Sequence, residues 1–276
     1  MRKVLELYAM YARLDLAWFL KDTKICLMAI TADFISNIAA VTGIFLLAYR
    51  FDGVGGMDKY EVLFMLGYVT AITGIVQAFF NFNVCHISRR IGRGQLEHML
   101  IQPLPLWVQL LTEGFIPFSG TSNLLSGFIV MIIAVRSLAY AVTPIWLLHL
   151  ALHLLISTII VLSLNYLFSS LAFYAPSQAE EISTYVRNSS HNLSTYPLSG
   201  MSLAVQIPLL SVFPAGLMGW FPSLALLSEA PLGLPPLYPI LVAFLLVLLA
   251  ARVFSRGYGH YLTSGSPRYS AVGHRR

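Results

Sequence analysis

The sequence predicts an all-α, polytopic membrane protein, and three observations lead there. Of its 276 residues, 57% are hydrophobic and only 11% charged, against roughly 25% charged residues in a soluble domain. The mean hydropathy is +0.74. The apolar residues gather in runs of bilayer length, about 20 residues each, too continuous for the alternation of a transmembrane β-barrel. A soluble globular core with an ordinary surface is excluded, and the net charge of +5 acquires a local meaning at the membrane rather than marking a nucleic-acid binder.

Six crossings can be laid along the chain. The first covers roughly residues 25–49, the second 62–82, the third 115–135 and the fourth 145–173. Residues 201–227 form a fifth apolar stretch, punctuated by Pro208, Pro214, Gly216, Gly219 and Pro222, and residues 237–254 a cleaner sixth. Non-helical backbone at membrane depth survives only where protein or a water-lined cavity covers it. The fifth crossing is therefore expected to end near Pro214, with a re-entrant segment following on the outer side.

Charge placement tests this count independently. With both termini inside, only Arg50, Lys59 and Arg136 of the 17 Lys and Arg residues fall outside, as the positive-inside rule requires. An odd number of crossings would strand Arg252, Arg256, Arg268, Arg275 and Arg276 on the wrong side. No apolar h-region with a small-residue cleavage site opens the chain, so no signal peptide is expected. Cys26 and Cys85 sit in or beside apolar runs, which argues against a disulfide scaffold.

The crossings divide the chain into residues 1–24, a transmembrane domain over 25–255 and a cytoplasmic tail over 256–276. In the first segment Val4, Leu5, Tyr8, Ala12, Leu16, Phe19 and Leu20 fall largely on one helical face. That pattern suits an amphipathic helix lying in the membrane interface; a frayed tail with chance periodicity is the alternative. Residues 176–197 are the longest polar stretch and read as a cytoplasmic surface between crossings four and five. The Asn-x-Ser triplets at Asn188 and Asn192 match a glycosylation pattern that a cytoplasmic loop would not use.

Between crossings two and three lies SRRIGRGQLEHMLIQPLPLWVQLL, from Ser88 to Leu111. Arg89, Arg90 and Arg93 crowd its start, Leu96, Met99 and Leu100 follow at helical spacing, and Pro103 and Pro105 break the pattern. A short helix on the cytoplasmic membrane face, available to another protein, fits this stretch; an ordinary orienting basic loop also would.

The arrangement resembles the ABC-2 type transporter permeases, in the bacterial subgroup whose permease is a separate chain. The resemblance rests on the interfacial N-terminal helix, six crossings and a broken outer segment. It rests also on Ile91-x-x-Gly94-x-Leu96-Glu97-x-x-Leu100-x-x-Pro103-Leu104, similar to the family's coupling-helix region (about residues 86–106). A weaker likeness is Tyr196-Pro197 followed by Gln206-Ile207-Pro208. The resemblance implies an exporter permease in the bacterial inner membrane, working as a pair with a second chain, the same or related. Each half would sit on a cytoplasmic ABC ATPase that binds ATP and Mg. Arg90, Gly94, Leu96, Glu97 and Leu100 would then form or brace the coupling surface, with Leu96 and Leu100 as anchors in the ATPase groove and Glu97 pairing with a basic residue there. The chain itself carries no G-x-x-x-x-G-K-[ST] phosphate loop; Gly53-Val54-Gly55-Gly56 is followed by Met57-Asp58-Lys59. It is expected to bind no cofactor and to be no enzyme.

Competing chemistry is thin. His149 and His153 share a helical face as two metal ligands would, yet two ligands make no site, and interhelical packing explains them as well. Asp33, a third of the way into the first crossing, is costly there. Either it bonds at a helix interface, with Asn37 one turn on to satisfy it, or the two line a substrate path. Glu113 reads as a boundary ion pair rather than a proton relay. An ion-coupled secondary transporter would need matched broken helices with midplane ion ligands, and an intramembrane enzyme a convergent catalytic cluster; the chain shows neither. The 17 Phe, 14 Tyr and 4 Trp suit packing and interfacial belts, and nothing names the substrate.

Overall fold

A computed structural model describes residues 2–81, 83–227, 233–235 and 237–265, and these are helical with no β-sheet. Helix α1 (Arg2–Lys21) passes through Asp22 into α2 (Thr23–Arg50). Helix α3 (Lys59–Phe80) follows a tight turn, and Asp58 and Glu61 close a capping box at its start. Four helical segments among the described residues are long and apolar enough to cross a bilayer: Thr23–Arg50, Lys59–Phe80, Pro144–Phe173 and Tyr238–Ser264. The chain is thus an all-α, multi-pass membrane protein.

Three short helices, α4 (Ile87–Gly92), α5 (Leu96–Leu100) and α6 (Leu106–Thr112), cap one end of the bundle. Helix α7 (Ser122–Ser137) then leads outward. Its 16 residues span about 24 Å at 1.5 Å per residue, less than the third crossing read from the sequence. Pro117 and Gly120 are responsible. The chain turns there instead of coiling, and Ile116 N–H donates to Ala78 O (2.9 Å).

Helix α3 is the hub, the most buried of the long helices, and its tightest partner is α7. Gly67 and Ala71 of α3 meet Gly127 of α7 backbone to backbone, and Gly74 meets Leu124. A Cβ on Gly127 would lie 2.3 Å from Ala71 N, and one on Gly74 2.2 Å from Leu124 N. This is the small-residue packing that membranes favour, where dispersion and close approach must replace the hydrophobic drive. Helix α8 (Pro144–Ser169) begins at Thr143, whose hydroxyl accepts from Trp146 N–H (3.1 Å), and packs along α12 (Tyr238–Ser264).

The polar stretch behaves differently from its reading in the sequence. Residues 176–194 form a helix that packs one face on the bundle and leaves Tyr185, Asn188 and Asn192 exposed on the other. Helix α9 (Pro176–Ser194) starts against α4 and the turn Ser170–Phe173, then runs along α8 into the bundle. A Cβ on Gly219 would meet Ser194 O at 2.2 Å, and Pro197 and Gly200 reach the opposite end, against Gly55. Pro176, Ala179, Ser183, Val186, Ser190 and Ser194 form its buried stripe, and the serine hydroxyls donate back to their own helix, as Ser190 does to Val186 O (2.7 Å). Side chains satisfied in this way travel through a bundle that their hydropathy would forbid.

The apolar stretch 201–227 correspondingly does not run straight across. Helix α10 (Leu203–Leu210) descends from the Gly55 end, the chain turns through Ala215–Met218, and α11 (Trp220–Leu227) climbs back. At the turn Leu217 O accepts from Ser157 Oγ (3.0 Å), itself bonded to Tyr68 OH (3.0 Å). On the return Leu226 O accepts from Trp146 Nε1 (2.8 Å), at the first turn of α8. The hairpin's carbonyls are thus held by side chains of its neighbours, which is what non-helical backbone at depth requires. The tail over 256–276 lies outside the described residues from 266 onward.

Replacing Gly127 by Val should wedge α3 from α7 at a cost of about 1–3 kcal/mol or more. The melting temperature of detergent-purified protein should drop by several degrees, whereas Gly43→Ala, where a Cβ meets nothing within 4 Å, should leave it unchanged.

Candidate functional site

Two places bring polar chemistry together. The first is the helical cap over residues 83–112. Gly94 turns the chain between α4 and α5 with φ +67°, a left-handed conformation that favours glycine. Ile87, Ile91, Leu96, Met99 and Leu110 are buried beneath it against Phe173, Phe254 and Tyr261. This second core welds the cap to α12 and to the end of α8.

Polar bonds brace the same cap. Arg90 pairs with Glu113 and donates to Asn83 Oδ1 (2.6 Å). Arg89 pairs with Glu180 of α9 (2.5 Å). Glu97 accepts from Tyr261 OH (3.0 Å), and Gln109 donates to the Met99 and Leu104 carbonyls (2.8 and 2.7 Å). Burial, followed by the guanidinium groups of Arg89 and Arg187, holds the His86 imidazole below its ordinary value. Burial pushes the Cys85 thiol up to about 11, against the smaller opposing effects of Arg187 and a bond to Ser169.

Leu96 is therefore no anchor for another protein. It is 0% exposed and belongs to this chain's own core. Leu100 is half-buried, and Glu97 is engaged internally by Tyr261. What projects from the cap is Arg93, Gln95, His98, Gln102 and above all Ile101, 82% exposed. Helical spacing identified the buried stripe of the segment, and the side that faces outward is its complement. The pairing of Glu113 with Arg90 agrees with its reading as a boundary ion pair.

The second place is a cavity of about 360 Å³ between α3, α8 and α9. Thr73, Asn81, Asn123, Asn165, Asn188 and His191 contribute to its wall, and Met218 of the hairpin turn lines it as well. Asn123 donates to Gln77 on α3 and accepts from Asn37 on α2, an amide relay joining three helices. Asn37 thus bonds across to α7 and does not satisfy Asp33. Asp33 stays exposed on α2, whose apolar window is only 11% buried.

Asp15 escaped the sequence reading altogether. It is 7% exposed on α1 and accepts from Phe118 N–H (2.7 Å), Ser119 N–H (3.2 Å) and Ser119 Oγ (2.5 Å), tying the first helix to the turn before α7. Its signal was present, an acid within the apolar stripe set by Tyr8, Ala12 and Phe19. No group of three or more His, Cys, Asp or Glu suited to a metal occurs among the described residues, so His149 and His153 remain a pair.

The structure is a multi-pass helical bundle with a braced cap at one end and a polar cavity within. A family model described as "ABC-2 family transporter protein" matches residues 34–265, and the chain belongs to that family. It is a permease of the ABC-2 type, a transport protein whose family works in general with an ATPase partner. No match was found among curated proteins or solved structures.

With Cys26 replaced by Ser, native protein at pH 8 should alkylate at least about 100-fold more slowly than a free thiol, because the raised pKa of Cys85 leaves little thiolate. Labelling should become complete in denaturing detergent; mass spectrometry of the maleimide adduct reads both states.

Proposed function

We propose that this chain is one membrane half of an ATP-driven exporter in the bacterial inner membrane, with both termini in the cytoplasm. It pairs with a second permease chain, and each half rests on a separate ABC ATPase subunit that binds ATP and Mg. The observation that carries this reading is the cap, whose exposed Ile101 stands on a fully buried core. A docking knob serves coupling only when it cannot yield independently of the helices behind it.

The six crossings in this reading are α2, α3, α7, α8, α9 and α12, with α10 and α11 as the re-entrant outer hairpin. Exchanging the stretch 201–227 for α9 keeps the count even, so the basic clusters remain inside as the positive-inside rule asks. Arg187 alone moves, from an inner loop into crossing five. Pairing follows from the same assignment. Asp33 on α2 and Asn192 on α9 are exposed, and at bilayer depth polar groups face protein or water rather than lipid.

ATP binding closes the ATPase pair and displaces the cap. Since packed cores are bistable rather than continuously deformable, the displacement becomes a rigid-body shift of helices. Arg90, Gly94, Leu96, Glu97 and Leu100 brace the cap in this scheme, while Ile101, His98 and Gln102 meet the ATPase.

Ile101→Asp in the full transporter should abolish co-purification of the ATPase and vanadate-sensitive hydrolysis while leaving the permease's melting temperature unchanged. Leu96→Asp should instead unfold the cap and lower that temperature. A permease that recovers no ATPase under mild conditions, or an Ile101→Asp variant that still binds it, would overturn the reading. Asp33→Asn at normal expression should reduce transport in proteoliposomes if Asp33 faces the path, and unchanged flux removes it from that role.

A further inference from the structure

The cavity between α3, α8 and α9 holds side chains that the fold does not use. Asn81 at the end of α3, Asn165 on α8 and Asn188 on α9 all contribute to its wall. Asn165 is only 3% exposed, and its Nδ2 has no hydrogen-bond partner among the described residues. The side chains of Asn81 and Asn188 are exposed and make no hydrogen bond to other described residues. Buried polar groups are otherwise satisfied in native proteins, and an unsatisfied one calls for an explanation such as a ligand or ion. The other amides of this layer already have partners: Asn37, Asn123 and Gln77 bond one another, and Thr73 Oγ1 lies 3.3 Å from His191 Nδ1.

The chemistry of the wall is selective. It contains Arg187 and no Asp or Glu, so a cationic ligand finds no counter-charge. Among the described residues it contains no Phe, Tyr or Trp, so planar aromatic ligands and quaternary ammonium groups find no ring there to stack on. Each carboxamide offers two donors and an acceptor, which matches hydroxyl groups that both donate and accept. A volume of about 360 Å³ falls within the range of small-molecule sites.

We propose that this cavity binds a polyhydroxylated, non-cationic group, and that Asn165 and Asn188 select it. This deepens the transporter reading and rests on it, since the bound group would be the polar part of the cargo on its way across. Met218 at the hairpin turn also lines the cavity, so the hairpin and α9 share its wall. Gly219, whose missing Cβ leaves room for Ser194 O, sits at that contact.

Binding is measured on the full-length permease in nanodiscs without the ATPase, so that failure of the cavity proposal is separable from failure of ATPase coupling. The probes are radiolabelled decyl maltoside and decyltrimethylammonium, with empty nanodiscs subtracting partition into lipid. The maltoside should bind saturably and the ammonium compound only at the partition level. Asn165→Leu and Asn188→Ala should each weaken maltoside binding about 3- to 10-fold, as expected for loss of one or two neutral hydrogen bonds. Asn188 is exposed on the cavity wall, so its variant reads the site even if Asn165→Leu fails to fold. Saturable binding of the ammonium compound, no saturable binding of the maltoside, or maltoside binding indifferent to Asn188→Ala would each overturn the proposal.

Discussion

A polar atom carried into a bilayer must find its partner inside the protein, and the architecture of this chain follows from that constraint. Water is absent there, and each unsatisfied backbone group costs several kcal/mol. The hairpin over α10 and α11 is held because Ser157, Trp146 and Tyr238 donate to the Leu217, Leu226 and Leu210 carbonyls. Helix α9 can pass through the bundle because its serines donate to their own backbone. The turn before α7 is held because Asp15 reaches over from α1 to accept two backbone N–H groups. Close approach of α3 and α7 at Gly67, Gly74 and Gly127 completes the frame, since small residues give the backbones the contact on which everything else is hung.

Composition and run length were sufficient for the class, and the longest apolar runs were legible to within a few residues, except that α12 continues to Ser264, well past the end read at residue 254. Helices α2, α3, α8 and α12 are the runs whose length and hydropathy coincide. The errors lie where hydropathy and partnership diverge. Hydropathy scores a serine as polar whether it faces water or donates to the carbonyl four residues back, so α9 looked like a loop. It counts 201–227 as a crossing, whereas the break expected near Pro214 is where the chain turns back between α10 and α11. A different signal was present for α9: the stripe Ala179, Ser183, Val186, Ser190 and Ser194 repeats at helical spacing with small residues throughout, as membrane packing prefers.

The cap shows the complementary difficulty. Periodicity finds the residues that share a face, but it does not say whether that face turns toward the chain's own core or a partner. Leu96 and Ile101 are both apolar residues in one short segment, yet one is 0% and the other 82% exposed. Their difference is set by distant residues, Phe173, Phe254 and Tyr261, which no local window contains. The amide cavity was illegible for the same reason. Its walls come from α3, α8 and α9, and only their assembly shows that Asn165 has been left without a partner.

These features bear on one another through α8 and α9. Helix α9 joins the cap at Glu180, lines the cavity with Asn188 and His191, and meets the hairpin turn where Ser194 O faces Gly219. Helix α8 has the same reach, through Tyr166 bonded to Trp107 O (3.1 Å) at one end and Ser157 bonded to Leu217 O at the other. On the coupling reading proposed above, a shift of the cap therefore reaches the hairpin through two packed antiparallel helices with the cavity between them. A ligand bridging Asn165 on α8 and Asn188 on α9 would hold those helices in one relative position. By linkage, whichever position binds the ligand better is the one its binding favours, so occupancy of the cavity and movement of the cap would be coupled with no contact between the two sites.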